Sequence, residues 1–247
     1  MGFFKVLHQS RKSKARIGII HTPHGDIHTP SFVPVATKGT LKSIPPKDIK
    51  DIGVQVAFVN TFHLVMHPGA DTVKRFGGIH AYSGLNIPLM SDSAGFQVFS
   101  LGKHVSINEK GVKFRLPVDG REVLFTPESS IRAQEKIGAD ILMAFDECIY
   151  HGATHEYTGD ATARTHRWLI RCIETKKCSS QRLYGIVQGG MFKDLRTQSA
   201  KFVSRQDISG IAIGGVSVGE TKKEMREQVS WVAPYLPKEL PCHLLGI

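Results

Sequence analysis

The sequence lacks several features that mark whole classes of protein. None of its four cysteines form a CxxC or CxC pair, which argues against a zinc ribbon or a disulfide framework and favours a reducing compartment, the cytoplasm. No stretch approaches the roughly 20 apolar residues of a transmembrane helix, and no secretory signal is expected at the N-terminus. There is also no GxGxxG or Walker A sequence, the usual phosphate loops of open α/β sheets.

Acidic residues are scarce relative to basic ones. The 247 residues include 32 Lys and Arg against 22 Asp and Glu, so the formal net charge at pH 7 is +10. This balance favours a polyanionic partner, either a nucleic acid or an anionic membrane, over an unspecialised basic surface. The hydrophobic content of 41% is ordinary for a globular protein.

Short apolar strands alternate with helices along most of the chain. Seven such strands begin near Phe32, Val54, Pro88, Ile141, Leu183, Ile211 and His243. Continuously apolar strands are typical of parallel sheets that are buried on both faces. Seven βα steps therefore predict an α/β fold, a (β/α)8 TIM barrel truncated after the seventh strand, with an open doubly wound sheet as the alternative. We expect residues 1–247 to form a single barrel domain.

Two hairpins are predicted outside this alternation. One spans residues 16–30 and turns at His24-Gly25; the other spans residues 112–125 and turns at Asp119-Gly120. The first hairpin carries three histidines at loosely metal-like spacing, His21, His24 and His28. On a hairpin they alternate faces, so surface histidines are favoured over a metal site, and no metal site is expected within residues 1–247.

Polar residues follow the predicted strands. In a parallel barrel the carboxyl ends of the strands share one face, where function gathers. The residues at these positions are Asn60, Asp92, Asp146, Gln188 and the pair Gly214-Gly215. An ionised acid can accept two N–H bonds from one edge of a flat heterocycle, and an amide or backbone N–H can donate to a ring carbonyl. The second acid is then free for proton transfer or covalent chemistry.

The densest group is the segment Ser91-Asp-Ser-Ala-Gly-Phe-Gln97, in which Phe96 can stack on a flat ring. Each strand-end residue also has a structural interpretation when taken alone. Asp92 could cap a helix, Asp146 could pair with a neighbouring arginine, and Gln188 could satisfy a buried backbone group. Their joint occurrence favours the functional interpretation.

This segment resembles the signature of the queuine tRNA-ribosyltransferases, the tRNA-guanine transglycosylases, of bacterial type. The resemblance runs almost end to end, through Thr29-Pro-Ser-Phe-Val-Pro-Val-Ala36, Asn60-Thr-Phe-His-Leu64, Pro68-Gly69, Phe145-Asp-Glu-Cys148, Tyr184-Gly-Ile-Val-Gln-Gly-Gly190 and Gly214-Gly-Val-Ser-Val-Gly-Glu220. It implies a (β/α)8 barrel. It also implies exchange of the wobble guanine in a tRNA anticodon loop for a 7-deazaguanine base, by double displacement, in queuosine biosynthesis.

The resemblance also implies roles for particular residues. Asp92 is the general acid/base, Asp146 and Gln188 hold the base edge, Gly215 offers a backbone group, and Glu220 supports the adjoining segment. The full set implied to contact the substrate base is Asp92, Ser93, Ala94, Gly95, Phe96, Asp146, Gln188, Gly215, Val216, Val218 and Glu220. Gly246 and Ile247 are implied to contact RNA.

The chain departs from the family pattern at three places. Ala94 stands where the family usually has glycine and would be strained at a positive φ, and Leu245 stands where bacterial members often have methionine. The sequence ends at Ile247, before the nucleophilic aspartate and the Cys/His cluster for structural zinc. The resemblance therefore implies that residues 1–247 alone are inactive, and that the full-length protein is a zinc-binding homodimer.

Val218 and the Asp-Glu-Cys segment at Asp146 follow the bacterial pattern. This pattern implies 7-aminomethyl-7-deazaguanine as the incoming base rather than the bulkier queuine. The alternatives are a non-catalytic tRNA-binding subunit or inactive fragment of this family, and an archaeal-type transglycosylase that modifies another tRNA site. Retention of both Asp92 and Asp146 favours an enzyme.

Overall fold

A parallel sheet forms the centre of the molecule in a computed structural model, which describes residues 2–100, 105–116 and 120–246. The strands are β1 Phe4–Gln9, β2 Arg16–Thr22, β3 Gly25–Thr29, β4 Ala57–Val59, β5 Leu89–Ser91, β6 Ser106–Asn108, β7 Gly111–Arg115, β8 Glu122–Phe125, β9 Ile141–Met143, β10 Arg182–Val187, β11 Gly210–Ile213 and β12 Cys242–Leu244. The central sheet has the order β4-β5-β9-β10-β11-β12, and its paired strands are parallel.

This sheet is curled. Six strands spaced about 4.8 Å apart would separate the outer two by roughly 24 Å if the sheet were flat. Phe58 on β4 and His243 on β12 nevertheless stack with their ring centroids 5.6 Å apart. The two outer strands therefore face each other across the interior, as in a barrel. The prediction of an α/β fold built on a parallel sheet is confirmed.

The curled sheet is buried on both faces. On β10, Tyr184 and Ile186 point into the inner core, whereas Leu183 and Val187 join the outer core between sheet and helices. The same alternation on β9 places Met143 inside. Because both faces are apolar, the strands read as continuous hydrophobic runs rather than as an alternating pattern. This is why the sequence predicted them correctly.

The amino-terminal hairpin covers one end of this sheet. Strands β1, β2 and β3 form an antiparallel sheet, and Ile20 and Ile27 from β2 and β3 enter the inner core. Asp140, which directly precedes β9, lies 2.7 Å from His24 Nδ1 and accepts a 2.9 Å bond from the Leu89 amide. These contacts tie the hairpin to the amino ends of the strands. The carboxyl ends lie at the opposite, open side.

Helices cover the outside of the sheet. They are α1 Thr61–Met66, α2 Ala70–Arg75, α3 Ile79–Ser83, α4 Gly95–Ser100, α5 Pro127–Ile137, α6 His155–Thr175, α7 Lys193–Val203 and α8 Lys222–Val232, with short 3-10 turns at Pro46–Asp48 and Ala233–Tyr235. The start of α5 is local chemistry: the Thr126 and Ser129 side chains and backbone N–H groups bond reciprocally, and Gly138 ends the helix at φ 83°. No helix in the described ranges has the length and apolar character required to cross a membrane.

One predicted strand is not present in the structure, and several short elements were not predicted. Residues 31–36 do not form a strand; a single parallel bridge joins Val35 to Phe58. Pro30 and Pro34 lack the N–H groups that a strand ladder needs. Strands β1 and β6 and helices α1, α3 and α4 were not predicted. The second hairpin pairs β7 with β8, whereas Asp119 of its predicted turn lies outside the described residues.

Candidate functional site

The carboxyl ends of the strands open into a cleft of about 780 Å³. The predicted site residues that line it are Asp92, Ser93, Phe96, Asp146, Gln188, Gly215, Val216, Val218 and Gly246. Asn60, Gly214 and Leu245 line it as well. The structure places Ala94, Gly95 and Glu220 in the supporting backbone segments, and Ile247 lies outside the described residues. The strand-end positions that the sequence singled out therefore meet in one place.

Asp92 receives hydrogen bonds from four neighbours. Its Oδ1 accepts from the Thr61 amide at 2.8 Å and the Ala94 amide at 3.1 Å. Its Oδ2 accepts from Gln97 Nε2 at 2.9 Å and from the Asn60 amide group. Because Thr61 begins α1, the carboxylate caps that helix while it also lines the cleft, so the structural interpretation of Asp92 is confirmed. Burial raises the pKa of Asp92, and the hydrogen bonds oppose that rise.

Asp146 has fewer partners and a different environment. Its Oδ2 accepts a 2.7 Å bond from Gln188 Nε2, and its Oδ1 accepts a 3.1 Å bond from Ser93 Oγ. Burial raises its pKa to about 6, the two hydrogen bonds work against burial, and the nearby charge of Asp92 adds to the rise. No arginine pairs with Asp146 among the described residues. A carboxylate with open lone pairs in an apolar cleft can accept further N–H donors.

Gln188 is the amide side chain that hydrogen-bonds to Asp146 in the cleft. Its Nε2 is used on Asp146, but its buried Oε1 has no partner among the described residues. The main chain of Gly214-Gly215 lies against the same side chain: a Cβ on Gly215 would come within 2.4 Å of Gln188 Oε1. Only glycine fits this contact, so the backbone approaches the cleft directly.

The signature segment turns tightly beneath the two acids. A Cβ on Gly95 would lie 2.6 Å from the Asp146 carbonyl oxygen. Ala94 is fully buried and has φ 71°. The prediction that this alanine would be strained if its φ were positive is confirmed, because a left-handed conformation is unfavourable for any residue with a Cβ. Phe96 is 52% exposed at the cleft, where its ring is free to cover a flat ligand.

Glu220 holds the segment that follows Gly215. Its carboxylate accepts from the Ser217 amide and, at 2.9 Å, from the Val218 amide. Partial burial pushes the pKa of Glu220 upward, but these backbone donors outweigh burial and the pKa is lowered. Glu220 is therefore an ionised backbone support, and Val218 on that segment forms part of the cleft wall.

Sequence reasoning missed two buried supports. Glu147, directly after Asp146, pairs with Arg164 and accepts a 2.8 Å bond from the Tyr157 hydroxyl. Arg196 on α7 is 0% exposed, although its sequence neighbours are typical of a solvated helix. The sequence did contain a sign of the role of Glu147, because it places a second acid directly beside Asp146. No local sequence pattern indicated that Arg196 would be buried.

One group of metal-capable side chains comes together in the described part of the chain: His24, His80 and Asp140. The two imidazole rings are stacked with their centroids 3.4 Å apart and an interplanar angle of 10°. An ion bound by an imidazole lies close to the plane of that ring, and parallel planes share no such point. The arrangement is a hydrogen-bonded support for Asp140 at the amino end of the sheet. His21 pairs with Asp26 instead, so the hairpin histidines do not converge.

Comparisons with known proteins agree with the motifs. A family model described as queuine tRNA-ribosyltransferase matches residues 10–247. The chain is 48% identical over 247 residues to a queuine tRNA-ribosyltransferase of Herpetosiphon aurantiacus, covering 100% of this chain and 63% of the relative. It is 46% and 43% identical over 244 residues to proteins of the same name from Prochlorococcus marinus and Pelotomaculum thermopropionicum, covering 99% of this chain and 66% of each relative. The chain thus spans about two thirds of the length of these curated relatives.

Proposed function

The chain belongs to the queuine tRNA-ribosyltransferase family, and from that premise we propose that it exchanges the wobble guanine of a tRNA for a 7-deazaguanine base, in queuosine biosynthesis. The observation that carries the proposal is a pair of carboxylates, the partly buried Asp92 and the buried Asp146, that line one cleft in unlike environments. Phe96 lies exposed beside them. Such a set suits a flat ring with N–H groups along one edge.

In the proposed reaction the two acids have separate tasks. Asp146 accepts the ring N–H and the exocyclic amine of the base, and donors around Gln188 and Gly215 meet the ring carbonyl. A further enzyme carboxylate attacks the ribose anomeric carbon, so that the bond to guanine breaks and an enzyme–ribose bond forms. Asp92 donates a proton to the departing guanine. The incoming base then displaces the enzyme carboxylate and returns a proton to Asp92.

The attacking carboxylate is proposed to lie outside residues 1–247. Asp146 faces the base edge and Asp92 is held by four donors, whereas displacement needs a carboxylate within about 3 Å of the anomeric carbon on the face opposite the base. The same proposal takes the curled six-stranded sheet as part of a truncated (β/α)8 barrel. The segment that is bridged to the sheet at Val35 stands in the place of the first strand, and a further strand closes the barrel.

The test compares residues 1–247 with the full-length polypeptide. Each is incubated with tRNA and labelled guanine, and the products are separated by denaturing electrophoresis. We expect label incorporation and a covalent protein–RNA band for the full-length polypeptide, and neither for residues 1–247. No exchange by the full-length polypeptide would refute the function. A covalent band with residues 1–247 would place the nucleophile inside them, with Asp92 examined first.

The incoming base is proposed to be 7-aminomethyl-7-deazaguanine. Val218 lines the cleft, and its branched side chain takes space that the larger substituent of queuine would need. In competition assays with the full-length polypeptide, 7-aminomethyl-7-deazaguanine should block guanine incorporation at lower concentration than queuine. Val218→Gly should improve the use of queuine. Equal use of the two bases by the unchanged polypeptide would contradict this assignment.

The remaining parts of the proposal concern partners. The formal charge of +10 supports binding of the tRNA anticodon loop, with Gly246 and Ile247 as RNA contacts. The full-length protein is proposed to be a cytoplasmic homodimer with one structural zinc per chain. None of the four cysteines, all free in the described ranges, joins a metal-capable group. The residues present here therefore do not fit a Cys/His zinc site, and the proposal assigns its ligands elsewhere in the full-length protein.

A further inference from the structure

Arg196 is a buried cation behind the cleft. Its side chain is 0% exposed and forms no ion pair with a carboxylate among the described residues. Burial lowers its pKa to about 10 while the charge of Glu220 opposes that effect, so the guanidinium remains charged at neutral pH. A buried charge without a counter-ion is costly, and hydrogen bonds must compensate for its lost hydration.

Four oxygens provide that compensation. Nε donates to the Gly190 carbonyl at 2.8 Å, Nη1 to the Gly214 carbonyl at 2.6 Å, and Nη2 to the Gly215 carbonyl at 2.6 Å. Nη2 also donates to Gln228 Oε1 on α8 at 2.5 Å. The planar guanidinium thus joins the loop after β10 to the loop after β11, which a single ammonium group could not do with the same geometry.

The two carbonyl anchors fix the direction of two amides. In a trans peptide the C=O of one residue and the N–H of the next point in opposite directions. Holding the Gly214 carbonyl therefore directs the Gly215 N–H away from Arg196, and holding the Gly215 carbonyl does the same for the Val216 N–H. Gly214, Gly215 and Val216 line the cleft whereas Arg196 does not. Glu220 anchors the two amides that come next, Ser217 and Val218.

We propose that Arg196 is a positioning residue that aims the Gly215 and Val216 N–H groups at a ring carbonyl of the base, and so sets the cleft's preference for an oxygen acceptor at that ring position. This inference rests on the proposed function. Without the guanidinium, either peptide can turn and present a carbonyl to the cleft instead, which would repel a ring oxygen.

A comparison of guanine with 6-thioguanine distinguishes this positioning role of Arg196 from an overall effect on nucleobase affinity. Both rings keep the N–H and amine that face Asp146, and they differ only in the acceptor atom, since sulfur is a weaker acceptor than oxygen. Dissociation constants are measured by calorimetry on the full-length polypeptide. Each well-placed hydrogen bond is worth about 1 kcal/mol, and sulfur weakens both amide contacts without abolishing them. The combined loss of about 1.4 kcal/mol gives the unchanged protein a roughly tenfold preference for guanine. Arg196→Lys and Arg196→Met should reduce that ratio to about twofold or less.

The matched control is Arg171→Met. Arg171 also donates to two backbone carbonyls, those of Glu109 at 2.7 Å and Lys110 at 3.0 Å, and it pairs with Glu128, none of which lines the cleft. This variant should lose stability and keep the guanine preference. A purely structural role for Arg196 would likewise change the melting temperature without changing the ratio of the two dissociation constants.

A measurement on the unchanged protein covers the case in which the Arg196 variants do not fold. Amide resonances of Gly215 and Val216 should move downfield when guanine binds, and move less with 6-thioguanine. An unchanged preference in a folded Arg196 variant, or no difference between the two bases at these amides, would overturn the inference while the proposed function stands. No binding of guanine by the unchanged protein would overturn the proposed function, and this inference with it.

Discussion

Replacing Asp92 by asparagine in the full-length polypeptide should lower base exchange by about 10²–10⁴-fold, the range for removal of a general acid/base. Asparagine keeps the shape of the side chain and an oxygen for the Thr61 amide, which Asp92 now caps at 2.8 Å, but it cannot carry a proton between the two bases. Incorporation of labelled guanine measures the loss. Binding of tRNA, measured by gel retardation, should not change.

The asparagine variant is preferable to alanine because Asp92 also supports α1. Removing a helix cap costs about 1 kcal/mol, and a folding defect would be confused with a catalytic one. Asp194→Asn is the matched control: it makes the same acid-to-amide change at an exposed residue that pairs with His155. Normal turnover in Asp92→Asn would remove Asp92 from the proton-transfer step.

Replacing Asp146 by asparagine should chiefly weaken binding of the base. A buried charged partner that accepts two N–H groups is worth about 2–5 kcal/mol, which corresponds to roughly 30- to 4,000-fold in the dissociation constant. Titration calorimetry with guanine measures the change. Gln188 lies 2.7 Å from Asp146 on the same wall, and Gln188→Leu offers a comparison in which the acid remains. Equal guanine affinity for Asp146→Asn and the unchanged protein would show that another group holds the base edge.

The pH dependence of the same site has a defined sign. Burial raises the pKa of Asp146 to about 6, and only the ionised carboxylate accepts both N–H groups. Base affinity in the unchanged protein should therefore rise with pH until the pH passes about 6 and then level off. In Asp146→Asn this rise should disappear. A pH profile that is identical in the two proteins would exclude Asp146 as the titrating group.

Whereas base affinity should rise with pH, the free energy of unfolding should fall as the pH rises. The pKa of Asp146 in the folded protein lies above the ordinary aspartate value of 3.8, so the folded state binds the proton more tightly than the unfolded state. Its contribution to the free energy of unfolding therefore falls as the pH rises from about 4 to about 6. Asp146→Asn removes this cost and should raise the free energy of unfolding at pH 8 by about 1–3 kcal/mol. Denaturation in urea at pH 8 measures the gain.

Much of the fold was predictable because its signals are local. The continuous apolar runs of β10 and β11 reflect burial on both faces, and Thr126, Pro127 and Gly138 mark the two ends of α5 through their own backbone chemistry. Helix α1 escaped prediction because it is short and depends on the distant Asp92 for its cap. Residues 31–36 had an apolar strand pattern, but Pro34 and the preceding Pro30 limit pairing to one bridge.

Some features of the candidate site were likewise predictable from the sequence, and others depended on the tertiary structure. The sequence by itself determined which residue types end the strands and in what order, and hence the family and the likeness of the cleft to a base-binding site. Tertiary structure alone decided the environment of each group. Asp146 and Gln188 are 42 positions apart in the chain, and Arg196 and Gln228 are 32 apart. The pKa of Asp146 and the burial of Arg196 depend on such pairs, because desolvation and hydrogen bonding act through space and no local pattern records which distant residues will meet.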